Sequence, residues 1–342
     1  MKFTSKQLTT LAICATVVFV ASGILTYAID TEDSGEVASS DRGVRKKDGG
    51  KTFEVRSEGV DDEDADSMRV KSALEGDPFE ELNGLIGLES VKQEVRTLAN
   101  FVKVQKQRQE QGLKTPKLSY HLVFTGSPGT GKTTVARIVA RIYKDLGILK
   151  KGHLVETDRS GLIGQYVGQT APRVNAMCDS ALNGVLFIDE AYALTQNEGN
   201  DYGDEAVATL LKRMEDDRDK LVVIVAGYTN EMKKFIDTNP GLQSRFNRYI
   251  NFPDYSADEL YKIFEMYVRK NEYVMTVEAG KYLRRQLEYV VENKDKNFGN
   301  ARYVRNVFEK VIQVQANRLS KTSNASERDL AEILLEDMKK VI

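Results

Sequence analysis

A glycine-rich segment between an apolar run and a helical stretch constrains this chain more than any other feature of its sequence. The eight residues from Gly126 to Thr133 read Gly-Ser-Pro-Gly-Thr-Gly-Lys-Thr, which fits the pattern G-x-x-x-x-G-K-[ST] in full. The run Tyr120–Thr125 before it predicts a strand, and Thr133–Leu146 behind it predicts a helix. Backbone N–H groups of such a turn can surround an anion, so the segment predicts a phosphate-binding loop rather than an ordinary turn.

Each part of this loop has a chemical task in that interpretation. Lys132 would reach the β- and γ-phosphates of a nucleotide, and the Thr133 hydroxyl would bind Mg²⁺. We therefore expect ATP with Mg²⁺ in the site. The predicted nucleotide contacts are Gly126, Ser127, Pro128, Gly129, Thr130, Gly131, Lys132, Thr133 and Thr134.

A second signal lies 57 residues after Lys132, where the apolar run Gly184–Ile188 ends in Asp189 and Glu190. Carboxylates at the end of a buried parallel strand lie at the edge of the sheet where nucleotides bind. Asp189 would belong to the coordination shell of the metal, and Glu190 would orient and deprotonate the attacking water. An acidic pair alone usually marks a solvated loop, but with the phosphate loop it predicts a nucleotide hydrolase.

The order of apolar and helical segments predicts the architecture. Leu88–Gln111 has apolar residues at helical spacing, and Leu221–Ala226 is a further continuous apolar run. Such runs, separated by helices, are typical of a parallel sheet buried on both faces. After Asp258 the pattern predicts helices only, including Ser326–Lys339 as one helix. We expect an α/β domain at residues 77–255 and a small helical domain at residues 256–342.

The amino-terminal part is predicted to be different in kind. Leu11–Ala28 contains no charged residue, and 18 helical residues span about 27 Å, enough for a hydrocarbon core. Residues 1–30 are thus predicted to be a transmembrane anchor, with a cleaved secretory signal as the alternative. Residues 31–76 are polar and acidic, which predicts a disordered tether, although an acidic docking site is a second interpretation.

Composition excludes several classes of protein. Residues 1–76 contain 10 basic and 14 acidic side chains, which leaves 39 and 37 in the rest of the chain. A body so nearly neutral lacks the basic surface of a nucleic-acid binder, and we expect no nucleic-acid partner. Two cysteines and two histidines among 342 residues exclude a disulfide scaffold and argue against a zinc enzyme.

The combined motifs resemble the AAA+ ATPases, and within them the CbxX/CfqX family, which includes the red-type rubisco activase and stage V sporulation protein K. The resemblance covers the chain from about Asp77 to its end. It is carried by the phosphate loop, by Phe187-Ile-Asp-Glu-Ala191, and by four further segments: Gly164-Gln-Tyr-Val-Gly168, Asp201-Tyr-Gly203, Val225-Ala-Gly-Tyr228 and Asn239-Pro-Gly-Leu-Gln-Ser-Arg245. It implies a P-loop AAA+ parallel-sheet domain with a helical lid.

The resemblance also implies roles for residues outside the two motifs. Arg245 matches the arginine finger that acts on a neighbouring subunit's nucleotide, with Arg248 as the alternative. Arg302 matches the sensor arginine of the lid, with Arg305 as its competitor. Ile86 and Gly87 correspond to the adenine pocket or form a plain helix-entry turn. Thr229 or Asn230 could be the polar sensor, and we favour Asn230. Tyr166 matches the pore loop that grips a polypeptide, against the alternative of a core tyrosine.

The predicted function follows from these assignments. We expect an ATPase ring, hexameric as the resemblance implies, that remodels or partly threads a protein substrate while tethered to a membrane. An ATP-gated assembly scaffold without threading activity is the alternative. Because ATP is abundant in the cytoplasm, the predicted location is a single-pass membrane protein with its ATPase body in that compartment. The shared scaffold does not identify the substrate.

Overall fold

The computed structural model describes residues 76–116, 119–196, 202–295, 297–322 and 324–342. The predicted anchor, residues 1–30, and residues 31–75 of the predicted tether lie outside the described residues. In chain order the elements are α1 (Pro78–Gly84), α2 (Glu89–Glu110), β1 (Leu122–Gly126), α3 (Lys132–Asp145), β2 (Leu154–Thr157), α4 (Arg159–Leu162), α5 (Thr170–Ser180), β3 (Gly184–Ile188), α6 (Tyr202–Asp216), β4 (Leu221–Gly227), α7 (Thr229–Asp237), α8 (Pro240–Arg245), β5 (Tyr249–Phe252), α9 (Ala257–Lys270), β6 (Val274–Met275), α10 (Val277–Glu292), α11 (Ala301–Leu319), α12 (Glu327–Ala331), β7 (Glu332–Ile333) and α13 (Leu335–Lys339).

Five of the strands form one parallel sheet in the order β2-β3-β4-β1-β5. Every residue of β1, β3 and β4 is buried, which explains why these strands read as continuous apolar runs. Successive side chains point to opposite faces, so Leu122 and Phe124 pack in one core while Val123 packs in the other. The predicted parallel sheet is confirmed.

The helical part after β5 continues one of these two cores. Phe264 of α9 and Val311 of α11 belong to the same buried cluster as Phe124 of the sheet. The ring of Phe264 meets that of Phe308 edge to face at 5.8 Å between centroids. Apolar packing therefore joins the carboxyl-terminal helices to one face of the sheet, and the predicted helical lid is confirmed.

The prediction of a single helix over Ser326–Lys339, with no strand after Asp258, is wrong. The chain forms α12, the short strand β7 and α13 there, and β7 pairs in parallel with β6. The buried side chain of Gln315 donates to the carbonyls of Leu330 and Glu332, at 3.0 and 2.9 Å, and so satisfies backbone groups that a continuous helix would have used. This contact comes from another helix and leaves no trace in the local pattern.

The predicted location as a single-pass membrane protein is also contradicted. Within the described ranges, no helix has both the length and the apolar character that crossing a membrane demands. The longest, α2, has 22 residues but presents charged side chains on its outer face. The segment Leu11–Ala28, from which the location was predicted, lies outside the described residues.

Candidate nucleotide site

A cleft of about 270 Å³ opens at the carboxyl-terminal edge of the sheet. The ends of β1, β3 and β4 meet there, and the amino-terminal turn of α11 faces them from the lid. This is the edge at which open parallel sheets bind ligands. The predicted residues that line the cleft are Gly126, Pro128, Gly129, Gly131, Lys132, Thr133, Thr134, Asp189, Glu190 and Arg302.

The phosphate loop has the backbone of an anion-binding turn. Gly126, Gly129 and Gly131 have positive φ angles of 148°, 70° and 92°, which glycine adopts without steric cost. No side chain caps the amino terminus of α3, so its first backbone N–H groups remain free for an anion. The buried Thr130 hydroxyl instead donates to the Ser127 carbonyl at 2.8 Å and holds the loop closed on itself.

Lys132 is the first residue of α3, and its ammonium group lies inside this loop. Its Nζ donates to the carbonyls of Gly126 at 3.0 Å and Ser127 at 2.8 Å. Burial lowers the pKa of Lys132, the Asp189 carboxylate opposes that shift, and the nearby charge of Arg302 adds to it. Two cations thus face the same cleft, an arrangement that a polyanion such as a triphosphate would relieve.

The two carboxylates occupy the facing side of the cleft. Asp189 directly follows β3, and its backbone N–H donates to the Thr157 carbonyl at 2.9 Å. Glu190 is exposed and adopts a left-handed conformation with φ of 49°, and its N–H donates to Asp189 Oδ1 at 3.0 Å. Few residues other than glycine adopt that conformation, and strained backbone tends to cluster at functional sites.

These groups fit a nucleoside triphosphate with a divalent cation. Free N–H groups and Lys132 suit phosphate oxygens, while the Thr133 hydroxyl and the Asp189 carboxylate are hard oxygen ligands of the kind that Mg²⁺ prefers. Mg²⁺ characteristically binds one or two carboxylates together with substrate phosphates rather than a complete protein cage.

Two lid arginines line the cleft together. Arg302 and Arg305 lie one turn apart on α11. The Nε of Arg305 is paired with Glu309 Oε1 at 2.7 Å, so part of its charge is already compensated. The structure thus places both the favoured sensor and its competitor at the site.

Three residues that were predicted to contact the nucleotide, one in the phosphate loop and two after β4, do not line the main cleft. Ser127, Thr229 and Asn230 line an adjoining cleft of about 850 Å³. The chain turns into α7 at Thr229, which carries both sensor candidates away from the main cleft. Tyr228 lines both clefts and is one of the residues for which the sequence predicted no role at the site. The feature of the sequence that could have identified it is its position directly after the buried strand β4.

The predicted adenine contacts, Ile86 and Gly87, are not among the residues that line either cleft. Gly87 has φ of 62°, and a Cβ at this position would overlap the Glu259 carboxylate of α9, so Gly87 allows close packing against the lid. Ile86 packs against the main core. Tyr267 of α9, which sequence reasoning did not single out, lines the cleft and stacks on Phe308 at 5.8 Å between centroids.

Arg245 and Arg248 lie at the opposite edge of the sheet from the cleft. Both precede β5, which runs parallel to β1, so they stand at the amino-terminal ends of the strands. Arg245 contacts Glu215 Oε2 at 3.4 Å, and its Nε is buried without a hydrogen-bond partner. The Arg248 guanidinium lies over the Phe101 ring at 4.8 Å. Neither arginine lines the cleft of its own chain.

Tyr166 lies in the loop between α4 and α5 and is 68% exposed, with its neighbour Val167 84% exposed. Gly168 follows with φ of 79° and no atom near the position of a Cβ. The alternative of a core tyrosine on a strand is therefore excluded.

Comparison with known proteins agrees with this geometry. Residues 122–254 match the family described as "ATPase family associated with various cellular activities (AAA)", and residues 256–342 match "AAA lid domain". Stage V sporulation protein K of Bacillus subtilis (strain 168) is 41% identical over 259 residues, covering 75% of this chain and 80% of that protein.

Two further relatives have similar identities. The chloroplastic ribulose bisphosphate carboxylase/oxygenase activase of Cyanidioschyzon merolae is 45% identical over 260 residues, covering 75% of this chain and 88% of that protein. The ESX-3 secretion system protein EccA3 of Mycolicibacterium smegmatis is 47% identical over 251 residues, covering 70% of this chain and 41% of that protein.

Among solved structures, the FIGL-1 AAA domain in complex with ADP superposes with a TM-score of 0.53 at 18% identity, covering 75% of this chain and 82% of that chain. At this identity the likeness shows the fold alone.

Proposed function

Because the chain belongs to the CbxX/CfqX-type AAA+ ATPases, and thus hydrolyses ATP with Mg²⁺, we propose that it works as a ring of identical subunits that couples this hydrolysis to the remodelling of a protein substrate. In this proposal residues 77–255 hold the nucleotide and residues 256–342 form the lid over it. The supporting observation is one cleft in which Lys132 and Arg302 face Asp189 and Glu190.

Each side chain in the cleft has a distinct task. Lys132 leaves the loop carbonyls and binds the β- and γ-phosphates, and Arg302 approaches the γ-phosphate from the lid. Thr133 and Asp189 would hold Mg²⁺, which would neutralise charge on the phosphate oxygens when bound. Glu190 orients the attacking water and accepts its proton, a task suited to an exposed carboxylate next to the metal ligand.

Arg245 acts on the nucleotide of the neighbouring subunit. It stands at the far edge of the sheet from its own cleft, and its side chain is 27% exposed there. A planar cation supplied in trans would stabilise charge that develops during phosphoryl transfer. This role requires assembly, and a hexamer is the ring that we propose.

Tyr166 contacts the substrate polypeptide in the centre of the ring. An exposed aromatic ring followed by a flexible glycine can grip a chain without reading its sequence. The names of two relatives, an activase and a secretion system protein, are consistent with work on other proteins.

The first experiment compares ATP turnover by the full chain with that of Glu190→Gln, with particle mass measured with and without ATP. We expect Glu190→Gln to lose ATP turnover while still forming ATP-dependent rings. The control is Glu110→Gln, which changes an exposed glutamate on α2 and should match the wild type in turnover and assembly. Full specific activity of a strictly monomeric protein would refute the ring.

A mixing experiment tests the role of Arg245. Arg245→Ala and Lys132→Ala should each be inactive alone, but a mixture should regain part of the activity, because an intact Arg245 then meets an intact Lys132 at some interfaces. The absence of recovery in mixed rings, or an equal loss in Arg248→Ala, would refute the assignment.

Threading is tested at Tyr166 with casein as an unfolded polypeptide. Casein should raise the ATP turnover of wild type and Tyr166→Phe but not of Tyr166→Ala, whose basal turnover should remain. If casein acts equally on all three, an ATP-gated scaffold replaces the threading proposal.

A further inference from the structure

Asn300 is a buried polar residue at the junction of the lid and the phosphate loop. It is 0% exposed and immediately precedes α11, whose second residue is Arg302. Its backbone has φ of 46° and ψ of −121°, a conformation that residues with a side chain rarely adopt. A strained residue persists in a fold when its surroundings hold it there, so its contacts are informative.

The Asn300 amide contacts three separate segments. Its Oδ1 accepts from the Tyr255 N–H at 3.0 Å, in the chain that leaves β5. Its Nδ2 group lies within hydrogen-bond distance of the Pro128 carbonyl at 3.3 Å, Asp254 Oδ1 at 3.0 Å and the Phe298 carbonyl at 3.1 Å. One side chain thus connects the phosphate loop, the entry to the lid and the turn before α11.

A second set of contacts closes the same junction. The Ala301 N–H donates to the Gly129 carbonyl at 3.2 Å. Gly129 also permits this approach, because a Cβ at its position would overlap the Gly299 carbonyl and lie 2.9 Å from the backbone nitrogen of Arg302. The loop and the first turn of α11 are therefore in backbone contact, without intervening side chains.

Asp254 extends the connection to Lys294, in the segment between α10 and α11. Its Oδ2 accepts from Lys294 Nζ at 2.6 Å. Burial alone would raise the pKa of Asp254, but hydrogen bonds from Lys294, Ser127 and Asn300 lower it overall. The carboxylate thus accepts from Asn300 of the lid junction and from Lys294 at once.

We propose that Asn300 is a positioning residue, which fastens the amino terminus of α11 to the phosphate loop so that Arg302 is held in register with the phosphates bound there. Its amide makes the position of the arginine depend on the position of the loop rather than on the packing of the lid. The inference rests on the proposed role of Arg302 at the γ-phosphate.

The most direct test is Asn300→Gly in the full chain, because glycine accepts the backbone conformation and only the amide is lost. We expect kcat to fall about tenfold or more, as for a small misplacement of a catalytic group. The dissociation constant for ADP, which has no γ-phosphate, should change less than about threefold, since the loop itself remains. Asn300→Asp should show the same split, because it preserves shape but replaces the donor with an acceptor.

A double mutant separates coupling from general damage. In an Arg302→Ala background, Asn300→Gly should lower kcat by less than about twofold further, because both changes remove one shared function. Asn297→Ala, an exposed asparagine in the preceding turn, is the matched control and should match the wild type. ATP-dependent assembly is measured for every variant.

The outcomes distinguish a failure of the proposed role of Arg302 from a failure of the proposed role of Asn300. If Arg302→Ala itself retains full kcat, the proposed role of Arg302 fails. If Arg302→Ala is slow but Asn300→Gly is not, or if their effects multiply independently, only the coupling through Asn300 is refuted. A parallel loss of ADP affinity and melting temperature in Asn300→Gly and Asn300→Asp would show a purely structural role and would also overturn the inference.

Discussion

His121 makes the stability of this protein depend on pH. The ring is 4% exposed, directly before β1, and its Nδ1 accepts from the Val223 N–H of β4 at 2.9 Å. Burial, and secondarily the positive charge of Arg245, lowers the pKa of His121 to about 4, although a hydrogen bond to the Met214 backbone opposes the shift. Protonation would place a charge in the core and abolish the acceptor that joins two central strands.

The direction and size of the effect follow from linkage. In the unfolded chain a histidine has a pKa of about 6.5, so between pH 6.5 and 4 the unfolded state binds more protons and the free energy of unfolding falls as the pH is lowered. At pH 5, about 1.5 units below the unfolded pKa, the loss from His121 alone is about 2 kcal/mol. It approaches about 3 kcal/mol below pH 4, where both states are protonated.

Urea unfolding of the nucleotide-free full chain, followed by far-UV circular dichroism at pH 7 and pH 5, measures this loss. His121→Asn retains an oxygen that can accept from Val223 but does not titrate. This variant is expected to be less stable than wild type at both pH values. Between pH 7 and pH 5, however, its free energy of unfolding should fall by about 2 kcal/mol less than that of wild type. His153→Asn controls for the removal of an imidazole elsewhere. An equal pH-dependent loss in wild type and His121→Asn would refute the reasoning.

Three further predictions concern the cleft and the lid. Gly129→Ala should retain secondary structure by circular dichroism but lose most ATP turnover, because its Cβ would force the lid junction off the phosphate loop; unchanged turnover would contradict that contact. Phe264→Ala should cost about 3–5 kcal/mol in urea unfolding, since the ring is fully buried against Phe308, and a loss below about 1 kcal/mol would show that the lid core is not packed as described. Arg318→Ala should lower the free energy of unfolding by about 3 kcal/mol, because it leaves the buried Asp337 carboxylate without its cationic partner. The double variant Arg318→Ala with Asp337→Asn should recover part of this loss, and no recovery would exclude the ion pair as its cause.

The parts of the site that could be predicted from sequence are those whose signal is local. The phosphate loop requires its glycines and Lys132 within eight consecutive residues, between a strand and a helix. Asp189 and Glu190 were predictable because the strand before them is apolar throughout, which placed them at the end of a buried parallel strand. In both cases the neighbours in sequence are also the physical determinants of the structure.

Residues whose position depends on distant contacts could not be predicted in the same way. The sensor candidate Asn230 has the expected residue type, but the start of α7 turns it into the adjoining cleft, and Tyr228 lines the main cleft instead. Glu332 and Ile333 have helical neighbours, yet Gln315 from another helix and the pairing with β6 make them a strand. A short segment adopts the conformation that satisfies its backbone groups, and here the partners lie elsewhere in the chain.

The sequence by itself therefore determined the chemistry of this protein: a phosphate loop, a pair of carboxylates and a parallel sheet to hold them, each specified by residues adjacent in the chain. Only the tertiary structure decided how these parts are joined. It placed Arg245 at the edge of the sheet opposite its own cleft, and it fastened Arg302 to the phosphate loop through Asn300, which is 172 residues from Pro128. Periodicity and spacing report local preferences, whereas such contacts exist only after the chain has folded and buried the groups that make them.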